Sequence, residues 1–387
     1  MGGFMNRMRE AAKKGDMILL ALCVIASLFG IVLIAGTTTN ATASENTGRY
    51  ILIQSGCLIA GIFIYFLLTT FDIDILASQR AILFAFNSIF ILMLLVWGVQ
   101  GESGNRSWLH FPFLPFNIQP AEVVKLTYIL ILAKTMSLHQ TRISSPRNVV
   151  PLTLQMIYIV VLIVGISSDT GVALIFIFIF IAMAFVGGVG WYWFAAAIAA
   201  LGVSYPYLWK YAIRTDQKNR ILALYDPSID PDGLNEMWQT NQNLKALRNG
   251  GLTGQGLGKG SLTNVGALPA RHTDSIFSAT GEQLGMVGCI LMLILLIAIV
   301  ARVIYVAART PDFTNRMICV GIASMFIFQI LINIGVCVGL VPVIGLALPF
   351  FSYGGSSIIT SFMAVGIVSG IRMRPSPDIN AHYIRPY

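Results

Sequence analysis

Long stretches without a charged side chain alternate with short polar ones along the 387-residue chain. Charge-free runs occupy residues 17–36, 50–71, 81–101, 148–168 and 284–301. Each is about long enough for one helical crossing, since roughly 20 apolar residues span the hydrocarbon core of a bilayer. Charge is the useful marker, because an Asp, Lys or Arg at mid-bilayer costs about 2.5–3.5 kcal/mol on insertion. The run 170–209 is twice that length and is broken at Gly187-Gly188-Val189-Gly190, which predicts two crossings joined by a tight turn. The run 317–371 carries no charge and is interrupted by Pro342, Gly345 and Pro349, which predicts two more. Residues 120–138 are apolar apart from Glu122, Lys125 and Lys134, and Pro120 suits a first helical position, where its missing N–H is no loss. The pattern is that of an all-α polytopic membrane protein with about ten transmembrane helices.

Composition agrees and narrows the picture. Hydrophobic residues make up 56% of the chain and charged ones only 11%, against about 25% charged in an ordinary soluble domain. The expectation is a single membrane domain over 1–387. A formal charge of +8 could suggest nucleic acid. The basic residues are spread through loops without interleaved aromatics, which argues against a nucleic-acid partner. The five cysteines, Cys23, Cys57, Cys289, Cys319 and Cys337, lie in apolar stretches with no C-x-x-C pair, so they read as packing residues. The N-terminal basic segment followed by an apolar run has the outline of a signal peptide. That run, Met17 to Gly36, has no small-residue cleavage site that stands out, and a retained helix is expected.

An even number of crossings puts both termini on one side, and the positive-inside rule chooses the cytoplasmic one. The inner segments then hold Arg7, Arg9, Lys13, Lys14, Arg80, Arg142, Arg147, Arg302, Arg309, Arg316, Arg372, Arg374 and Arg385, while the short outer loops hold only Arg49 and Arg106. One large extracytoplasmic loop, residues 210–282, separates helices 7 and 8. It carries eight basic and seven acidic residues, a concentration that marks it as the place for polar chemistry. Its Gly-rich centre, Gly250 to Ser261, fails the Walker pattern because Lys259 is followed by Gly260. It reads either as a turn-rich lid or as a loop whose N–H groups approach an anionic headgroup. Tyr225-Asp226-Pro227 with Asp230 and Asp232 resembles a turn, or loosely a cation site, but lacks the Gly and Glu of a calcium loop. His110, His139 and His382 show no metal-ligand spacing.

Two clusters carry candidate chemistry. Arg271, His272, Thr273 and Asp274 place a guanidinium, an imidazole and a carboxylate within four residues at the membrane surface, followed by Glu282 at the head of the next span. Glu122 and Lys125 stand three apart and share a helix face, and Asp169 opens another span. Ionisable groups in a span are functional candidates, and a structural alternative is a lock in which Lys125 bridges Glu122 and Asp169.

Four stretches then resemble the SEDS family (RodA, FtsW, SpoVE) of ten-helix peptidoglycan glycosyltransferases. They are Asn105-Arg106-Ser107-Trp108-Leu109, Phe116 to Lys125, Leu268 to Gly285, and Leu348-Pro349-Phe350-Phe351-Ser352-Tyr353-Gly354-Gly355-Ser356-Ser357. The resemblance covers nearly the whole chain. It implies that the family's essential loop aspartate falls on Asp274, its outer-loop Arg and Trp on Arg106 and Trp108, its buried Glu and Lys on Glu122 and Lys125, and their partner Asp on Asp169. The pattern departs at Ala270, Ser275, Gln283 and the Ser167-Ser168-Asp169-Thr170-Gly171 stretch. Val341 to Gly345 leans toward RodA and Gly256-Leu257-Gly258 toward FtsW, and a RodA-like assignment is preferred.

The resemblance further implies lipid II as substrate, a class B penicillin-binding protein as partner, and residence in the bacterial plasma membrane among its lipids. Asp274 would be the general base, and Arg106, Lys259 and Arg271 would face the leaving pyrophosphate. Trp108, His272 and Thr273 would complete the substrate contacts, and Glu282 would join Glu122, Lys125 and Asp169 in a buried polar pocket. No cofactor is evident, ATP is not required, and a divalent cation is left open. The rival readings are a flippase for a lipid-linked precursor and a non-catalytic scaffold.

Overall fold

The computed structural model describes residues 11–374 except 12, 39–43, 101–104, 113 and 227. Arg7, Arg9, His382 and Arg385 therefore lie outside the described residues. Ten helices of 17 residues or more appear among those described: α1 Met17–Thr38, α2 Ser44–Thr70, α4 Arg80–Trp97, α5 Pro120–Leu138, α6 Pro146–Ser167, α7 Thr170–Val186, α8 Trp191–Tyr207, α12 Ile276–Arg309, α13 Phe313–Cys337 and α14 Gly355–Met373. Each matches one expected crossing. Seven are both long and apolar enough to span a membrane by length and composition. Of the others, α5 carries three charges, and α7 and α8 have 17 residues each, the lower limit for a crossing. Between them lie the short helices α3 Ile73–Ser78, α9 Thr215–Leu222, α10 Trp238–Gly250 and α11 Ser261–Asn264. A two-residue pairing joins β1 Gly98–Val99 to β2 Trp108–Leu109, in register Gly98 with Leu109.

The helix starts follow from local chemistry. Aspartates cap four of them: Asp16 accepts from Leu19 N at 3.1 Å, Asp72 from Asp74 N at 3.1 Å, Asp169 from Val172 N at 3.1 Å and Asp312 from Asn315 N at 2.8 Å. A carboxylate there satisfies an otherwise orphaned N–H and sits at the positive end of the helix dipole. Pro120 and Pro146 occupy the first turns of α5 and α6. Gly188, at φ 91°, turns the chain between α7 and α8 as the Gly-Gly-Val-Gly stretch predicts.

One expected boundary needs correction. The span expected at 284–301 belongs to a 34-residue helix that begins at Ile276, inside the polar loop, and is kinked at Gly285 (φ 67°, ψ −163°). Glu282 had marked the membrane edge, but its carboxylate is satisfied within the protein and does not end the helix. Within the loop 210–282 lie α9, α10, α11 and the first turns of α12, and its Gly-rich centre runs as turns between α10 and α11, as expected.

Helix α14 runs along α2, α12 packs on α13 and α1, and α13 packs on α5 and α7. The buried side chains of these helices form one continuous core. Helices α13 and α14 are its most enclosed members, whereas α4 and α6 turn most of their surface to lipid and α8 has no buried residue. All five cysteines are free and buried in this packing. At the inner end, a buried Asp16 lies 2.9 Å from Arg302 of α12 and 2.9 Å from Arg372 of α14. Tyr65 Oη of α2 lies 2.8 Å from both Asp16 O and Ser369 Oγ. This lock ties four helices together at the face opposite the large loop.

Candidate active site

Asp274 ends a short irregular segment that leads into α12, and three successive carbonyls of that segment are each held by another part of the bundle. Tyr353 N donates to His272 O at 2.7 Å, Ser352 Oγ to Thr273 O at 2.6 Å, and Asn333 Nδ2 to Asp274 O at 2.9 Å. Cys337 Sγ adds a weak contact to Asp274 O at 3.6 Å. Ala270, in a left-handed conformation (φ 46°), closes the turn by accepting from Thr273 N and Ser275 N, both at 3.0 Å. The segment is thus a strap whose backbone is pinned while the half-buried Asp274 side chain projects beside Gly345. A Cβ on Gly345 would stand 3.7 Å from Asp274 Oδ2, and its φ of 79° suits glycine.

The expected site residues divide into two groups. The His272 ring sits against Tyr50 and Tyr353, with centroids 5.1 and 5.7 Å away. Burial, followed by the nearby Tyr50 and Cys57, pushes the Tyr353 phenol above its usual range, so it remains protonated at neutral pH. Arg271 donates from Nη1 to Thr263 O at 2.9 Å, which leaves its other N–H groups for further use. Lys259 and Arg106 are exposed, and Trp108 is half-buried.

The second cluster lies at the outer ends of α5 and α7. Lys125, fully buried, pairs with Glu122 at 2.7 Å. The expected bridge to Asp169 is not made. Asp169 is held instead by Ser107 Oγ at 3.1 Å, Gln119 Nε2 at 3.5 Å and its capping bond to Val172 N, with no ion pair to Lys125 among the described residues. Lys125 is close enough to act on Asp169 only through space. The physical reason is reach: the i, i+3 geometry commits the ammonium to Glu122, and neutral donors satisfy Asp169 first. Ser107, Gln119, Ser167 and Asp169 line a cavity of about 10 Å³, which is room for about one water.

Glu282 does not join this group. It is fully buried, and its carboxylate accepts from Ser261 Oγ at 3.1 Å, Leu262 N at 2.7 Å, Thr263 N at 2.9 Å and Thr263 Oγ1. It caps α11 and fastens the loop to α12. The Gly-rich run is explained in the same place. Gln255 N and Gly256 N donate to Glu282 O and Gln283 O, Gly258 N to Gln283 Oε1, and Met286 N to Gly251 O. A Cβ on Gly250 would stand 1.7 Å from Gly281 O, and one on Gly254 2.2 Å from Gln283 O. These glycines let the loop backbone lie directly on the kink of α12, so their N–H groups are engaged with protein. The Asp226 and Asp230 region is a turn. Asp230 accepts from Met237 N at 2.9 Å, Asn235 N at 3.1 Å and Leu234 N at 3.2 Å, and these donors hold its carboxyl below the usual range.

The segment 338–354 and the start of α14 join the two clusters. Ser352 and Tyr353 hold the strap. Two residues on, Gly355 packs on Phe116, where a Cβ would stand 2.5 Å from Cγ, and Ser356 Oγ accepts from Gln119 N at 3.2 Å. Ile344, beside Gly345, presses on Gly171 at the start of α7. The stretches at 116–125, 268–285 and 348–357, remote in sequence, are therefore one physical assembly. Gln54 completes it, donating from Nε2 to Ser352 O at 3.1 Å and accepting from Gly354 N at 3.2 Å. Gln54 and Asn333 were missed because a search for charges passes over neutral amides, although an amide inside a long apolar run is itself a signal.

The FtsW/RodA/SpoVE family, described as cell cycle protein, matches residues 16–376. The chain belongs to this family. It is 31% identical over 369 residues to the probable peptidoglycan glycosyltransferase FtsW of Geobacter metallireducens, an alignment covering 94% of this chain and 96% of that one. Among solved structures it is similar to a chain of a peptidoglycan synthase complex described for its structural coordination of polymerization and crosslinking. That match has 28% identity and a TM-score of 0.77, and covers 92% of this chain and 97% of the other. It is also similar to the rod shape determining protein RodA of Thermus thermophilus, with 26% identity, a TM-score of 0.68 and coverage of 94% and 98%. This FtsW/RodA/SpoVE protein is accordingly a multi-pass protein of the bacterial membrane and a glycosyltransferase by family. The FtsW relative and the RodA structure match along the same length of chain, so neither branch is singled out.

Proposed function

We propose that this chain performs the peptidoglycan glycosyltransfer of its family at the outer end of the bundle, with lipid II as substrate and Asp274 as general base. One observation carries this reading: the strap that bears Asp274 is pinned at three consecutive carbonyls while its carboxylate projects beside a glycine at the membrane surface. A base needs that kind of fixed backbone, because proton transfer depends on placement before pKa.

In the reaction, the acceptor's sugar 4-hydroxyl attacks C1 of the donor sugar. The O4–C1 bond forms with inversion as the C1–O bond to the lipid pyrophosphate breaks. The hydroxyl proton passes to Asp274, a role worth about 10²–10⁴ in rate. Negative charge grows on the departing pyrophosphate and calls for fixed cationic donors. Arg271 is positioned for this by its bond to Thr263 O, and the exposed Lys259 and Arg106 are free to swing toward the headgroup. His272, tilted against Tyr50 and edge-on to Tyr353, offers ring surface for the sugars, and Trp108 and Thr273 are assigned the remaining sugar contacts. Glu122, Lys125 and Asp169 act as a rigid floor that holds Gln119, and through it the start of α14.

The likeness to a chain of a synthase complex supports a class B penicillin-binding protein as the partner that crosslinks the product. Purified protein supplied with labelled lipid II in detergent tests the whole reading. Glycan polymer is expected; translocation in vesicles without polymer would favour a flippase, and neither would favour a scaffold.

A further inference from the structure

A second cavity lies at the opposite end of the molecule. It has a volume of about 560 Å³, opens between α4, α5 and α6, and faces the inner leaflet by the charge rule. That volume is within the range of small-molecule sites, about 300–1,000 Å³. Arg80, the first residue of α4, stands at its mouth and makes one hydrogen bond, to Thr135 Oγ1 at 3.4 Å. Arg80 has no ion pair among the described residues. The walls below it are apolar, formed by Phe84, Ala85 and Ile131. Gln155 lines the same space from α6, nine residues from the start of that helix, or about 14 Å down its axis. Its half-buried amide makes no hydrogen bond to the described protein.

The arrangement is graded from charge to grease along the bilayer normal. A guanidinium with no carboxylate partner among the described residues sits at the mouth, the Thr135 hydroxyl beside it donates to Ile131 O at 2.7 Å, and an aliphatic and aromatic slot that includes the Gln155 amide opens beneath. An intramembrane amide left unpaired is costly unless something supplies a partner. Arginine suits phosphate better than lysine because its planar fork gives two parallel donors. Inner-leaflet anionic lipids are drawn to basic pockets between helices on the cytoplasmic side.

We propose that this groove is a specific site for one anionic phospholipid of the inner leaflet, its phosphate on Arg80 and an acyl chain along Phe84, Ala85 and Ile131. The site is separate from the glycosyltransfer assembly at the outer end, and it does not depend on Asp274.

Native mass spectrometry of the full chain, with phosphatidylglycerol or phosphatidylethanolamine added to the detergent, tests this. Phosphatidylglycerol is expected to stay bound under activation that strips phosphatidylethanolamine. Arg80→Gln is expected to lower that occupancy about tenfold, as the loss of one charge-assisted bond would, whereas Arg142→Gln, on an exposed inner residue outside the groove, leaves it unchanged. Ala85→Trp fills the slot without altering charge and is expected to reduce occupancy as well, with thermal unfolding as the check on folding. Equal retention of the two lipids would overturn the proposal, as would unchanged occupancy in both groove variants. Displacement of phosphatidylglycerol by millimolar inorganic phosphate alone would mark a simple anion site and overturn the phospholipid assignment.

Discussion

Asn333→Leu is the sharpest probe of the strap. Its Nδ2 donates to Asp274 O at 2.9 Å and to Leu346 O at 2.7 Å, so one amide fixes the strap and the segment that carries Gly345. Leucine has nearly the same shape and no donor. Each buried carbonyl left unsatisfied costs about 1–3 kcal/mol. Asp274 O keeps the contact to Cys337 Sγ, a weak donor, so the total should be about 2–4 kcal/mol. If half of that penalty is relieved by movement of the strap, the transition state loses about 1–2 kcal/mol of alignment, and turnover falls roughly 5–30-fold. The assay is polymerisation of labelled lipid II by purified protein in detergent, with thermal unfolding measured on the same preparation. A positioning role predicts a lower kcat with KM little changed. Ser324→Ala, which removes a local bond to Gly321 O on the same helix, should leave kcat unchanged. A variant with a lowered Tm and full turnover would refute the idea that Asn333 positions Asp274.

Exchanging Glu122 and Lys125 should cost less activity than removing either one, because a single removal strands a buried charge at a cost of about 3–5 kcal/mol; equal damage from the exchange and from the single removals, read by the same polymerisation assay, would break the pairing account. Gly250→Ala places a Cβ 1.7 Å from Gly281 O, and overpacking of this kind costs about 1–3 kcal/mol or more. A lower unfolding midpoint is expected, and an unchanged one would mean that the Gly-rich run does not rest on α12 in solution. Asp230 has a depressed carboxyl in the folded loop, so its stabilisation is complete above the unfolded carboxyl value of about 4 and is lost as pH falls through its lower folded value. Limited proteolysis of the loop should therefore rise as pH falls from about 5 to 3, and Asp230→Ala should be cut readily already at pH 7; identical cutting of both proteins at pH 7 would remove Asp230 from this role.

Much of the architecture was legible because one physical cost dominates in lipid. A charge within a span is expensive, so charge-free runs located nine of the ten long helices, Pro120 and an otherwise apolar run located α5 despite its three charges, and Gly188 and Pro349 marked real breaks. The same rule misplaced the start of α12, since Glu282 is neutralised by N–H and hydroxyl donors of the loop and is not at the membrane edge. It also suggested a pocket of four ionisable groups where the structure makes three arrangements, Glu122 with Lys125, Asp169 with neutral donors and Glu282 with the loop. Three-dimensional assembly decided the rest. Nothing in the spacing of 116–125, 268–285 and 348–357 announces that Ser352 and Ser356 join them. The lock of Asp16 with Arg302 and Arg372 joins residues about 290 and 360 positions apart, beyond the reach of any local pattern.

The central claim is that Asp274 takes the proton from the attacking sugar hydroxyl. Asp274→Asn keeps the side chain's size and the strap's backbone bonds while removing the base. With lipid II binding and polymer formation measured on one preparation, the account predicts binding close to that of the unaltered protein and no glycan polymer above background. Polymer made at an undiminished rate by the Asn variant would contradict it.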